Sequence, residues 1–158
     1  MTAMPAKTRR STSGTRRTAP KPKAASRPKP PARARPAKVS RASPTLARLR
    51  ALCLALPSTK EVEAWGHPTF RVGEKIFASF GEDAGAARMG VKTTHELQAA
   101  LVASDPRFAI AAYVGKHGWV QMTLTAPIDW DEVEALVRES YRLIAPARIS
   151  ARLPPTRR

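Results

Sequence analysis

Apolar positions recur at two different spacings along this chain, and the points where the spacing changes divide it into elements. Leu46, Leu49, Leu52, Cys53 and Leu56 return at helical spacing until Pro57 stops the run. Ser43 is placed to cap this first helix and Pro44 to fill its first turn. A second helix is expected to open at Thr93, with Glu96 three residues on in a capping-box pattern. Leu97, Ala100 and Leu101 would form its buried stripe. A third opens with Asp129 as cap and Glu132 behind it, carries Trp130, Val133, Leu136, Val137, Tyr141 and Ile144 on one side, and ends at Pro146.

Between the first two helices the period shortens to two, the spacing of strands. Ile76, Ala78 and Phe80 alternate with Lys75, Phe77 and Ser79, and Gly81 to Gly85 reads as a turn. Met89 and Val91 then alternate with Arg88, Gly90 and Lys92. One earlier strand is expected over Glu61 to Val72, bent near Gly66-His67-Pro68. After the second helix, Phe108 to Tyr113 and Trp119 to Thr125 read as a further strand pair, with Val120, Met122 and Leu124 facing one way.

The order helix, three strands, helix, two strands, helix predicts an α+β domain over residues 44–148. Sequential strands with short turns imply a two-layer fold, a five-stranded antiparallel sheet with helices on one face. The other sheet face is expected to be open and to carry Arg71, Phe77, Ser79, Arg88, Lys92, Trp119, Gln121 and Thr123. No internal repeat appears.

Ahead of Ser43 the patterning stops and composition takes over. Residues 1–43 hold 13 of the 28 Lys and Arg and none of the 12 Asp and Glu, so most of the net charge of +16 lies in about a quarter of the chain. Residues 44–147 carry 11 bases against 12 acids. The basic stretch is built from Ala, Pro, Ser, Thr, Lys and Arg, with Val39 as its lone larger aliphatic side chain. Such a segment buries too little apolar surface to offset roughly 1–2 kcal/mol per residue of backbone entropy. It is expected to be a disordered, extended arm, and residues 149–158 a flexible basic end with Arg152, Arg157 and Arg158.

Several function classes lose ground at once. A single cysteine, Cys53, forbids an internal disulfide, and its place in Leu52-Cys53-Leu54 points to a buried thiol. No apolar run approaches the roughly 18–20 residues of a membrane span. The N-terminus lacks the apolar core of a secretory signal, and its prolines oppose the amphipathic helix of an organellar transit peptide. A cytoplasmic protein is expected. No Gly-x-Ser-x-Gly elbow, Gly-rich phosphate loop or paired carboxylates appear, and three histidines with one cysteine lack the short spacings of structural zinc. No catalytic residue, metal or cofactor is assigned.

Two motifs go beyond pattern. One is Trp65-Gly66-His67-Pro68-Thr69-Phe70-Arg71-Val72, followed by Lys75-Ile76-Phe77-Ala78; the other is Tyr113-Val114-Gly115-Lys116-His117-Gly118-Trp119-Val120. With Leu56-Pro57 upstream and Tyr141 to Pro146 at the end, residues from Thr45 to Arg148 resemble the MmcQ/YjbR family. The resemblance implies a small YjbR-like, CyaY-like domain with helices on one side of an antiparallel sheet. It also implies DNA binding, and it brings no catalytic residues.

The contact surface expected on these grounds has two parts. In the arm, Lys21, Lys23, Arg27, Lys29, Arg33, Arg35 and Lys38 would neutralise phosphates and release counterions, which drives binding without sequence preference. This run resembles the Lys/Pro/Ala arms of linker-histone-like proteins. In the domain, His67, Arg71, Lys75, Lys116, His117 and Trp119 would form a second surface, His67 and His117 bordering one concave patch. The alternative for both histidines is a purely structural role in their turns. Trp65 and Tyr113 are assigned to core packing, whereas Trp119 falls opposite Val120 and Met122. A monomer that binds nucleic acid, DNA above all, is therefore expected. The rivals are a protein-interaction module using the open sheet face and a small-molecule enzyme with a pocket joining His67 to His117.

Overall fold

A computed structural model describes residues 43–155, and the arm cations from Lys21 to Lys38 lie outside them. The described chain is an α+β domain whose six strands make one antiparallel sheet in the order β1-β2-β3-β4-β6-β5. Strands β1 (Thr59–Ala64), β2 (His67–Val72), β3 (Lys75–Asp83) and β4 (Ala86–Lys92) form a meander. Helix α2 (His95–Ser104) then leads to the edge strand β5 (Phe108–Ile110), and β6 (Trp119–Thr123) returns between β5 and β4. Helices α1 (Pro44–Leu54) and α3 (Trp130–Ile144) cover one face, and α4 (Ala147–Ser150) follows.

The extra strand is a correction to the sequence reading. What looked like one bent strand is β1 and β2, paired from Thr59↔Val72 to Ala64↔His67 around the two-residue turn Trp65-Gly66. Both turn residues are left-handed, with φ of 55° and 79°. That backbone reverses the chain with the twist a tight hairpin needs. Tryptophan is an unusual occupant of the position, so the sequence signalled a bend near Gly66 and not a full reversal. Ala84-Gly85 repeats the device between β3 and β4, with φ of 50° and 80°.

A second correction concerns Phe77. Along β2 and β3 the pairing jumps from Phe70↔Ala78 to Arg71↔Ile76, leaving Phe77 as an extra residue. Such a bulge breaks the alternation of faces. Phe77 and Ala78 are both buried under the helices, and Phe77 meets Tyr141 of α3 edge-on with ring centroids 5.4 Å apart. Ile76 moves to the open face in its place. The backbone groups spread by the bulge are taken up from above. Ser140 of α3 donates to the Phe77 carbonyl at 2.5 Å and accepts from the Lys92 N–H at 2.8 Å.

The helix ends follow their caps closely. Asp129 accepts from the N–H groups of Asp131 and Glu132, as its position implied. In α2 the cap is Thr94 and not Thr93, and the side chain buried from that helix is Gln98 rather than Ala100. The core lies between the sheet and α1 with α3: Leu46, Leu49 and Cys53 below, Val133, Val137 and Tyr141 beside them, Phe70, Phe80, Met89, Val91 and Met122 from the strands. Burial pushes the Cys53 thiol well above its ordinary range, so it stays protonated. Packing continues past residue 148, because Ile149 and Leu153 rest on the core and Arg138 donates to the Pro154 carbonyl. Among the described residues no helix is long and apolar enough to cross a membrane.

Candidate functional site

The sheet face away from α1 and α3 is built differently. Cross-strand neighbours place Thr69, Ser79, Gly90 and Gln121 in one row, and Gly81, Arg88 and Thr123 in the next. His67 closes the second row, since a Cβ on Gly81 would stand 3.7 Å from its Nδ1. Small residues therefore occupy the middle of this face. At Gly90 an added Cβ would come within 2.6 Å of the Ser79 hydroxyl, so even alanine would displace it. Glycine inside a strand marks a place where something approaches the backbone closely.

Over this floor lies a cavity of about 470 Å³. Ala111, Ala112 and Val114, which follow β5, wall one side, and Trp65 stands at the β1–β2 turn. Trp119, Gln121, Arg88, His67 and Asp83 also line it. On this face the buried His67 Nδ1 has no hydrogen-bond partner among the described residues; Glu82 Oε2 is likewise without one, but Glu82 pairs with Ala87 and has the parity of Phe80, toward the helices. The third such atom, Arg138 Nε, lies on α3, away from this lining.

The position of Trp119 is held by a clamp. Successive carbonyls from Gly115 to Trp119 all accept bonds from the start of α2 and the residues before it. Gln98 Nε2 donates to Gly115 at 2.8 Å and to Trp119 at 2.9 Å. His95 Nε2 meets the Lys116 carbonyl at 3.1 Å, and Lys92 Nζ donates to that of His117. The Thr93 N–H and hydroxyl both reach Gly118, at 2.8 and 2.9 Å. Gly118 itself has φ of 83°, with a Cβ position against the Thr93 carbonyl, so no other residue fits there.

Of the residues the sequence singled out, His67 and Trp119 line the cavity. Arg71, Lys75, Lys116 and His117 do not, and the two imidazoles do not meet in it. Arg71 and Lys75 sit at the far end of the β2–β3 pair, beside Lys60. Lys116 and His117 are exposed on the clamped turn. Trp65 and Tyr113, assigned to the core, are instead 74% and 87% exposed. Both have left-handed backbone, with φ of 55° and 65°, which turns the chain outward at those points. Gly81, Gly90 and Val114 were missed, although glycine within an alternating strand was a readable signal. Trp130 is half-buried beneath the Arg48 guanidinium, 4.9 Å from its ring centre, and takes no part. Among the described residues no group of three His, Cys, Asp or Glu converges on a metal-sized point.

Comparison with known proteins places this geometry. None of the curated proteins matches the chain. A solved structure of the Deinococcus radiodurans protein DR2400, with a DUF419 domain, is 25% identical; the match covers 62% of this chain and 76% of that one, with a TM-score of 0.57. A Pseudomonas syringae protein is 21% identical over 54% of this chain and 86% of its own, with a TM-score of 0.45. The model of the family described as YjbR matches residues 54–143, from the end of α1 almost to the end of α3. The chain belongs to the YjbR family.

Proposed function

We propose that this protein binds nucleic acid, DNA in the first place, through two dissimilar surfaces. The basic arm grips phosphates without regard to sequence, and the open face of the YjbR domain makes a second contact. One observation carries this reading: 13 cations and no acid within residues 1–43. So lopsided a segment attracts polyanions, and released counterions supply the free energy. The domain adds little charge of its own, since its acids and bases nearly cancel.

The test is a salt series on the whole chain against duplex and single-stranded oligonucleotides. If about six arm cations engage duplex, log K should fall against log salt with a slope of about −5. Removing residues 1–43, and with them all 13 cations, should flatten that slope sharply. An unchanged slope refutes the role given to the arm.

A protein-interaction module is the second reading. It is favoured by Ile110, 61% exposed on the edge strand, beside Tyr113 and Val114. That reading predicts binding that survives high salt and ignores removal of the arm.

A further inference from the structure

The cavity on the open face is close to neutral in a protein whose net charge is +16. Arg88 is its cation and, among the described residues, has no hydrogen bond or ion pair; Asp83, on the same face, stands against it. A run of phosphates laid into this space would meet that carboxylate. A neutral planar ring would not. We propose that the cavity receives one unpaired nucleobase of a single strand, a proposal that rests on the nucleic-acid reading above.

Size, shape and polar atoms agree on the occupant. At about 470 Å³ the cavity falls within the usual range for small-molecule sites, roughly 300–1,000 Å³. Its floor of Ser79, Gly81 and Gly90 admits a flat ring close to the strands, and the indoles of Trp65 and Trp119 offer π surfaces at its margin. The buried His67 Nδ1 needs a partner, as nearly all buried polar atoms do. An imidazole nitrogen donates or accepts according to its tautomer. Base edges carry ring N–H and amino donors together with acceptors, either of which can serve it. A base paired and stacked in a duplex cannot enter; an unpaired one can. Arg88 is then placed for the phosphate beside that base.

The experiment uses the full chain in dilute salt with three labelled oligonucleotides of equal length: a single strand, the same strand without bases, and a duplex. The base-bearing strand should bind about tenfold tighter than the abasic one, within the range for a stacked base, and it alone should quench tryptophan fluorescence. Gly81→Val fills the floor at a position whose Cβ meets nothing closer than 3.7 Å. It should erase that tenfold preference and leave abasic binding and its salt slope unchanged. Trp65→Gly, which suits the left-handed turn and so keeps the fold, should reduce the preference severalfold. Equal binding of the two single strands, or a preference that survives both substitutions, overturns the cavity proposal while the arm's role stands. Failure of all three oligonucleotides to bind removes the nucleic-acid reading and this proposal with it.

Discussion

The two faces of the sheet carry the same backbone ladder and opposite chemistry. Under α1 and α3 the strands present Phe70, Phe77, Phe80, Met89, Val91 and Met122, all buried, and the hydroxyls that enter from α3 are satisfied, Ser140 by two partners and Tyr141 by the Pro57 carbonyl. On the other face the central positions are Ser79, Gly81 and Gly90, and the buried His67 Nδ1 lacks a partner among the described residues. Apolar area removed from water stabilises at about 25 cal/mol per Å², so the first face holds the fold together. The second buries fewer apolar side chains and leaves the space that the proposed base would fill. A Cβ at Gly90 would close part of that space, which makes glycine there a matter of access.

Substitutions on each face should separate these roles, and urea denaturation of the whole protein reads them. Phe77→Ala removes a fully buried ring and its edge contact with Tyr141, and should cost about 3–5 kcal/mol. A loss below about 1 kcal/mol would mean the bulge does not carry Phe77 into the core. Ser140→Ala strands the Phe77 carbonyl and the Lys92 N–H, which should cost about 1–3 kcal/mol. Stability equal to the parent would show that the bulge satisfies its own backbone. Trp65→Gly, on the open side, should stabilise by roughly 0.5–1 kcal/mol, because relief of a left-handed backbone outweighs the entropy lost by glycine. Destabilisation instead would show that the indole packs against the fold.

Periodicity made much of this legible. The helix around Leu46, Leu49 and Cys53, the amphipathic α3 with its Asp129 cap, and the alternation of Met89 and Val91 against Arg88, Gly90 and Lys92 all stand as the pattern implies. The motif around Trp65 to Val72 and Tyr113 to Val120 led to the right family and to one tryptophan of the cavity, Trp119, while Trp65 was assigned to the core. What failed were positions decided by one dihedral or one inserted residue. Left-handed backbone at Trp65 turned one strand into two, and the same at Tyr113, beyond the end of β5 at Ile110, accompanies a ring sent outward. The bulge at Phe77 exchanged it with Ile76 between faces.

Local sequence settled the helices, the α+β class and the apolar stripes of α1, α3 and β4, because helix and strand periods are properties of a few consecutive residues. The charge imbalance of residues 1–43 was equally fixed by composition. Only tertiary structure could bring Gly81 beside His67, set Gln98 against the carbonyls of Gly115 and Trp119, and leave a cavity between them. Those relations join residues distant in the chain and depend on register, where a single bulge or turn moves every side chain after it to the other face.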